Sequence, residues 1–466
     1  MALPIAPGAR HILQALAAQG HEAYLVGGCV RDLLRGVTPH DWDICTSARP
    51  EETRRCFAGQ RIIETGLKHG TVTVLAGTEP YEITTYRMEG PYSDRRRPDY
   101  VRFVPNLAED LARRDFTMNA VAMDLAGNLR DPFGGAQDIK RGLIRCVGEP
   151  DLRFQEDGLR VMRALRFASA LGYGMEERTA GAVRRNRAVL SRVAAERINA
   201  ELCKLLEGQG AGAVLRQYPD VLCQFWPHLG PLAGLEQHTP WHCRDGWAHT
   251  VHAVEAAPAD VTLRLTMLLH DVGKPACKST DGKGADHFCG HPAVSARMAG
   301  EMLRALKFDN RTQERVVTLV AYHDEQLLPQ ERAVRRWLSR LGPEAFFQLL
   351  EVKRADSMGK ALEQVRDRLA ELDEIKIMAE QILAQGQCLT LKDLAVNGRD
   401  VIAAGVAPGP EVGRVLNRLL DRVLGGEVPN AREALLGLID AARSWRNGTY
   451  RFQDTVQAPL LRASTA

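Results

Sequence analysis

The sequence predicts an α+β protein in which a mixed α/β head is followed by helical regions up to the end of the chain. Short β-like runs, among them AYLVGG, DWDIC and YEITTYR, fill the first part of the sequence after a helical segment at 11–19. From about Leu152 apolar residues recur with a period of about 3.6, the spacing of one helix face. The 466 residues are enough for about three domains.

Two aspartates in the run DWDIC form the first candidate site. Successive side chains of a strand point to opposite faces, so Asp41 and Asp43 project to the same side. Their like charges repel unless a cation lies between them, and Mg²⁺ commonly binds one or two carboxylates together with substrate phosphates. For this pair alone, a solvated loop is the simpler alternative.

A glycine pair, Gly27 and Gly28, lies shortly before these aspartates. It follows the apolar run YLV and precedes a helix-like segment that begins near Val30. A strand, a glycine turn and a helix N-terminus present backbone N–H groups to an anion such as a triphosphate. The glycine pair and the two aspartates together favour a site for a nucleotide and a metal.

Charged residues further along extend this hypothesis. Alternation in YEITTYR makes Glu82 a candidate third carboxylate, although a strand Glu is more often a surface residue. Asp157 and Arg160 are spaced i, i+3, which places them side by side on the predicted helix. They form either a routine ion pair or an acceptor and donor for the Watson–Crick edge of a base. Six arginines between 93 and 120 indicate a phosphate-binding surface or solvated faces.

A second constellation of metal-binding residue types lies between 238 and 356. Its histidines and aspartates recur at helix-sized intervals: His249, His270, Asp271, His291, His323, Asp324 and Asp356. Imidazoles and carboxylates suit one or two transition metal ions, and Mn, Ni, Zn and Fe are all compatible with such a set. Any one of these histidines alone would be read as a structural residue.

Composition limits the remaining possibilities. The net charge of +3 neither requires nor excludes nucleic acid. The ten cysteines are scattered without a C-x-x-C pair, which predicts reduced thiols and a cytoplasmic protein. No apolar run is long enough for a membrane span, and the N-terminus lacks the pattern of a signal peptide, so neither membrane insertion nor secretion is expected.

Six motifs in order resemble the class II tRNA nucleotidyltransferases, the bacterial CCA-adding enzymes of the polymerase β-like superfamily. They are LVGGCVRDLLRG, DWDICTSARPEE, EITTYRMEGPYSDRRRPDYVRFV, LARRDFTMNAVAMD, the run from DPFGG to RFAS and, far downstream, LAVNGRDVI. The resemblance is dense over 20–215 and looser over 385–435. It implies a polymerase β-like nucleotidyltransferase head followed by all-α neck, HD and tail regions.

The resemblance also implies roles for individual residues. Triphosphate binding falls to Gly27, Gly28, Arg31 and Asp32, and Mg²⁺-dependent catalysis falls to Asp41, Asp43 and Glu82. Ribose recognition falls to Arg114 and Asp115, and selection of CTP or ATP falls to Asp157 and Arg160. The segment 88–104 matches a flexible loop whose presence favours addition of the complete CCA or of A. The implied partners are tRNA, CTP and ATP.

The second constellation resembles the HD superfamily of metal-dependent phosphohydrolases. The resemblance implies a first metal held by His249, His270, Asp271 and either Asp324 or Asp356, and a second site completed by His291 and His323. Some CCA-adding enzymes carry such a domain and hydrolyse 2′,3′-cyclic phosphodiesters or phosphate esters. A phosphohydrolase activity on RNA ends or cyclic nucleotides is therefore expected in an HD domain inserted before the tail.

These observations predict four domains and one main activity. The domains are a nucleotidyltransferase head at 1–147, a helical neck at 148–235, an HD domain at 236–360 and a tRNA-binding tail at 361–466. The predicted activity is addition of C, C and A to the tRNA 3′ end without a nucleic-acid template. The alternatives are an A-adding enzyme, a poly(A) polymerase and a chiefly hydrolytic HD protein.

Overall fold

The computed structural model describes residues 4–64, 66–90, 100–238, 245–359 and 362–446. The chain forms two compact units. The first unit contains the chain up to Asp324 and a later segment that begins at Glu351. The second unit contains Glu325–Leu350 and the chain from Gln364 onward. The four-domain division stays a prediction. Of the predicted flexible loop 88–104, residues 91–99 lie outside the described part of the chain, as do residues 447–466 of the predicted tail.

A seven-stranded mixed sheet organises the start of the first unit, with strand order β3-β4-β5-β2-β1-β8-β9. Strands β2 and β5 run parallel, and the other pairs of this sheet are antiparallel. Strands β6 and β7 form a separate antiparallel ribbon. The strands are β1 Ala23–Val26, β2 Asp43–Thr46, β3 Arg61–Ile63, β4 Thr71–Ala76, β5 Glu79–Thr85, β6 Arg87–Glu89, β7 Val101–Phe103, β8 Ala122–Met123 and β9 Leu129–Arg130.

Both faces of the central strands are covered, because alternate residues of each strand enter different cores. Leu25 and Ile44 belong to the core beneath the first helix, whereas Val26 and Cys45 belong to the core on the opposite face. The first helix begins at Pro7, earlier than predicted, since proline is well suited to the first turn of a helix. The helices of this region are α1 Pro7–Ala18, α2 Gly28–Leu34, α3 Pro50–Cys56, α4 Leu107–Ala112 and α5 Gly135–Arg141.

The rest of the described chain is helical apart from two short ladders, which confirms the predicted α+β class. The ladders are formed by β10 Leu143–Ile144 with β11 Gly174–Met175 and by β12 Ser279–Thr280 with β13 Asp286–His287. The helices up to residue 322 are α6 Pro150–Glu156, α7 Leu159–Leu171, α8 Glu177–Asn186, α9 Ala195–Glu207, α10 Ala211–Gln217, α11 Pro219–Leu222, α12 Gly246–Ala256, α13 Val261–Leu269, α14 Lys274–Cys277, α15 His291–Ala305 and α16 Asn310–Tyr322.

Five further helices follow: α17 Glu331–Met358, α18 Leu362–Ala384, α19 Gly398–Ala403, α20 Pro410–Leu424 and α21 Arg432–Arg446. Helix α17 consists of two helical segments joined across a kink at Gly342, whose φ of 75° and ψ of 161° are not helical. Pro343 follows the kink and cannot donate a backbone hydrogen bond. Among the described helices, none is both long and apolar enough to cross a bilayer.

One predicted placement is wrong: Asp157 and Arg160 do not share a helix. Helix α6 ends at Glu156, Asp157 has an extended backbone, and α7 begins at Leu159. The Asp157 side chain accepts a hydrogen bond from Leu159 N at 3.1 Å, the local bond to a backbone N–H two residues on that is typical of aspartate in turns. Gly158 at the break packs so closely that an added Cβ would lie 2.9 Å from Val189 Cγ2. The apolar residues of this stretch keep the helical period, so the periodicity gives no sign of the break.

Gly135 offers a test of the packing between the sheet region and α5. Replacement by Ala should lower the free energy of unfolding of the first unit by about 1–3 kcal/mol, the usual cost of overpacking. The reason is that the added Cβ would lie 2.0 Å from Thr117 O and 2.6 Å from Val121 Cγ2. Thermal melting of Gly135→Ala and of the control Gly59→Ala, where an added Cβ meets nothing within 4 Å, measures the effect. Equal melting temperatures of the two variants would contradict this packing.

Candidate functional site

The parallel pairing of β2 and β5 sets two acidic residues side by side. Asp43 is the first residue of β2 and stands opposite Glu82 in the register. Asp41 lies in the segment just before the strand rather than in it. All three side chains remain exposed to solvent. The predicted carboxylate set is therefore brought together at the rim of the sheet, where a ligand can reach it.

The electrostatics of Asp43 fit a cation site. Surrounding protein atoms remove part of the hydration of its carboxylate and raise its pKa; Arg114 opposes this rise, and the negative charges of Glu82 and Asp41 add to it. A hard divalent cation would relieve the same repulsion, and oxygen donors of this kind are the ligands that Mg²⁺ prefers. The residues present thus fit the predicted magnesium site.

The glycine turn forms one wall of this site. Gly27 follows β1 with a φ of 79°, which favours glycine. A Cβ at Gly27 would lie 3.2 Å from Arg114 Nη1 and 3.5 Å from Asp43 Oδ2, so the bare backbone lies against both groups. Helix α2 begins at the neighbouring Gly28. The arrangement leaves room for a ligand group close to the carboxylates and the guanidinium.

Asp110 is a buried carboxylate that the sequence reasoning missed. It pairs with Arg113 Nη2 at 2.8 Å and with Arg114 Nη2 at 3.4 Å, and it accepts a hydrogen bond from Arg87 N at 3.2 Å. Arg114 Nε is buried without a hydrogen-bond partner among the described residues. The i, i+3 and i, i+4 spacing in EDLARR was the available signal. Asp110 thus fixes Arg114 in front of the glycine turn.

A chain of polar contacts joins the glycine motif to Asp115. Arg31 pairs with its neighbour Asp32 at 3.0 Å and donates to Asn119 Oδ1 at 3.1 Å. Asn119 Nδ2 in turn donates to Asp115 Oδ1 at 3.1 Å. Asn119 was not among the predicted site residues. It connects Arg31, predicted to bind the triphosphate, with Asp115, one of the two residues predicted to recognise the ribose.

Asp115 is held as a buried anion. Burial raises its pKa, but the positive charge of Arg163, hydrogen bonds from Asn119 and Arg163 and the charge of Arg160 outweigh burial and bring the pKa to about 2. Arg163 Nε donates to Asp115 Oδ2 at 2.8 Å. Arg163 was also missed, because its partner lies far away in the sequence.

The proposed base-selecting pair is held by other groups. Asp157 forms a two-pronged ion pair with Arg197, whose Nη1 and Nη2 lie 3.2 Å and 2.9 Å from Oδ1 and Oδ2. Arg160 is buried, and its Nη1 donates to Glu156 Oε2 at 2.6 Å while its Nη2 donates to Arg113 O at 3.0 Å. The structure therefore reveals Arg197 as a further residue next to this position.

All members of the second constellation except Asp324 are buried and lie close together. His270, His291 and His323 stand at helix ends, and each points Nδ1 at the carbonyl oxygen of the residue three positions earlier, at 2.7–2.9 Å. Because a carbonyl only accepts, Nδ1 carries a proton, and Nε2 faces the other residues of the cluster. The Nε2 atoms of His291 and His323 lie 3.2 Å apart, as do those of His249 and His270. Nitrogen atoms this close share either a proton or a metal ion.

Asp271 is common to both halves of this cluster. Its oxygens lie 3.2 Å from His270 Nε2 and 3.3 Å from His291 Nε2, and Lys274 Nζ lies 2.7 Å from Oδ2. Neither buried oxygen accepts a hydrogen bond of good geometry from a described residue. Two groups with metal-ligand spacing result: His249, His270 and Asp271, and Asp271, His291 and His323. A carboxylate shared in this way can bridge two metal ions.

The structure distinguishes between the two aspartates that the sequence left open. Asp356 Oδ1 lies 3.0 Å from His249 Nε2 and 3.5 Å from His270 Nε2, whereas Asp324 is exposed. Burial lowers the pKa of His270, but Asp271 and Asp356 outweigh burial and raise it to about 9. A proton therefore occupies this position until a metal cation replaces it.

Comparisons with known proteins match three stretches of the chain. Residues 23–145 match the family model "Poly A polymerase head domain", residues 172–218 match "Probable RNA and SrmB- binding site of polymerase A", and residues 289–439 match tRNA nucleotidyltransferase domain 2. The CCA-adding enzyme of Lactobacillus delbrueckii subsp. bulgaricus is 36% identical over 91% of this chain and 95% of its own length. That of Geobacillus kaustophilus is 37% identical over 91% and 94%.

Solved structures show the same likeness. The Bacillus stearothermophilus CCA-adding enzyme in complex with CTP is 31% identical, with a TM-score of 0.68 over 95% of this chain and 99% of that one. The Thermotoga maritima CCA-adding enzyme complexed with tRNA is 21% identical, with a TM-score of 0.58 over 94% and 96%. The latter likeness concerns the fold alone. The predicted nucleotidyltransferase head followed by helical regions is confirmed.

The buried cluster yields a prediction about metal binding. Asp356→Ala should weaken binding of Mn²⁺ or Zn²⁺ by about 10–100-fold or more, since even the loss of a group that only orients a ligand costs this much. Asp324→Ala, which removes an exposed carboxylate, serves as the control and should bind metal like the parent protein. Equilibrium dialysis with metal analysis measures both. An equal loss in the two variants, or none in Asp356→Ala, would contradict the assignment.

Proposed function

The chain belongs to the CCA-adding enzymes, and on this premise we propose that it adds C, C and A to the 3′ end of tRNA. The nucleotides come from CTP and ATP, and no nucleic-acid template is used. The observation that carries the proposal is the register of Asp43 against Glu82, with Asp41, Arg114 and Gly27 around it. The CTP bound by the relative that is 31% identical supports the choice of substrate. The scattered cysteines support a cytoplasmic location.

The chemistry is transfer of a nucleotidyl group. The terminal 3′-hydroxyl of the tRNA attacks the α-phosphate of the nucleotide, its proton passes to solvent, and the bond to pyrophosphate breaks. Asp41 and Asp43, with Glu82 beside them, would hold Mg²⁺. When bound, Mg²⁺ lowers the pKa of the attacking hydroxyl and offsets negative charge on the phosphoryl oxygens.

The remaining residues bind and orient the nucleotide. The bare backbone at Gly27 lets the triphosphate approach Arg114, whose buried Nε has no partner among the described residues. Asp115, held as an anion, accepts a hydrogen bond from the ribose hydroxyls. Asp157 and Arg160 together select the base. In this assignment the protein positions reactants and does little covalent work.

We propose a second activity for the cluster around Asp271, namely metal-dependent phosphohydrolysis at RNA ends or on cyclic nucleotides. The specific support is that Asp271 belongs to two groups with metal-ligand spacing and that its buried oxygens lie 3.2 Å and 3.3 Å from the Nε2 atoms of His270 and His291. In hydrolysis of a 2′,3′-cyclic phosphate, water adds to phosphorus, one ring P–O bond breaks, and the released ribose oxygen takes up a proton. Bound transition metal would supply an activated water at neutral pH.

Separate variants should separate the two activities. Asp41→Asn should abolish nucleotide addition to tRNA ending before CCA and leave hydrolysis of a 2′,3′-cyclic phosphate unchanged. His270→Asn should abolish this hydrolysis and leave nucleotide addition unchanged, because the Nε2 atom of His270 faces only the second cluster. Gel extension and phosphate-ester assays measure the two activities, with Asp324→Asn as the control for both. Nucleotide addition by Asp41→Asn at the parent rate would contradict the first assignment, and full hydrolysis by His270→Asn would contradict the second.

A further inference from the structure

One face of helix α9 lies behind both carboxylates that are proposed to contact the nucleotide. Arg197 and Glu201 are spaced i, i+4 on this helix and therefore lie on the same face. Arg197 pairs with Asp157, and Glu201 pairs with Arg163, which holds Asp115.

Arg197 determines how Asp157 can accept hydrogen bonds. A carboxylate offers about four lone-pair positions. Among the described residues, Oδ1 accepts from Leu159 N and Arg197 Nη1, and Oδ2 accepts from Arg197 Nη2. The capacity that remains is on Oδ2, and the two-pronged pair fixes its direction. Asp157 is thus a preset acceptor for one donor.

An acceptor held in a fixed direction divides the four bases into two classes. Cytosine N4 and adenine N6 are amino groups that donate, whereas the corresponding O4 of uracil and O6 of guanine accept. An acceptor fixed opposite this position favours C and A and repels U and G. This division matches the nucleotides of the proposed reaction.

Glu201 acts on the other carboxylate. It is buried, its Oε1 lies 3.6 Å from Arg163 Nη1, and its Oε2 lies 2.9 Å from Arg166 Nε. Both guanidinium groups also lie over the ring of Phe167, at 5.4 Å and 3.8 Å from its centroid. Arg163 reaches Asp115 Oδ2 from this support, with Nη2 at 2.6 Å. Glu201 therefore fixes Arg163, and Arg163 fixes Asp115.

We propose that the Arg197–Glu201 face of α9 is a positioning element for nucleotide selection, in which Arg197 serves base choice and Glu201 serves sugar choice. The inference rests on the proposed function and adds two positioning residues to it. Since the two residues act through different partners, the two selectivities can be lost separately. A merely structural role of α9 would lower activity with every nucleotide alike.

Single-nucleotide addition to tRNA tests this inference with Arg197→Gln, Glu201→Gln and the control Lys204→Gln, which removes an exposed charge from the same helix. The kcat/KM ratios of CTP to UTP and of CTP to dCTP are measured for each. Arg197→Gln should lower the CTP:UTP ratio about tenfold or more, the discrimination expected of one base contact, and preserve the CTP:dCTP ratio. Glu201→Gln should lower the CTP:dCTP ratio and preserve the CTP:UTP ratio.

Arg197→Lys and Glu201→Asp repeat the comparison with smaller changes and should shift the same ratios in the same directions. Unchanged ratios in both Gln variants, or an equal fall of both ratios in each variant, would overturn the inference while leaving the proposed function intact. Absence of any addition by the parent protein would overturn the proposed function, and the inference with it.

Discussion

The parallel pairing of β2 with β5 is the constraint on which the first site depends. It places the carboxylates of Asp43 and Glu82 opposite each other, with Asp41 just before the strand. Like charges this close destabilise the fold unless positive charge is near. Arg114 supplies part of that charge, and a divalent cation would supply the rest. This electrostatic cost is the reason why a metal ion would fit the position.

The second cluster meets the same problem with helix ends in place of strands. His270 and His323 follow the last turns of their helices, and His291 begins one. Backbone carbonyl oxygens hold the Nδ1 atoms, so the Nε2 atoms face inward toward Asp271. In the first site the strand register, and in the second the positions of helix ends, bring side chains that could bind a metal close together. Side chains alone would not remain so close against their mutual repulsion.

The sequence could predict residues whose roles show in local spacing. The close spacing of Asp41 and Asp43 and the glycine pair predicted the first site from local sequence, although Asp41 precedes the strand that the alternation assumed. The break at Gly158 could not be predicted, since it depends on close packing against Val189. Arg163, Arg197 and Asn119 were missed because each has a partner that only the fold brings near, namely Asp115, Asp157 and Arg31. Asp324 and Asp356 could be separated only by burial and distance.

The most direct measurement is gel extension of three tRNAs, ending before CCA, after C and after CC, with Mg²⁺ and each nucleotide offered separately and then together. If the carboxylates at the β2–β5 pair and the residues around them work as proposed, the protein adds C, then C, then A, and stops. No addition to any of the three tRNAs, or addition of A without limit, would contradict this assignment.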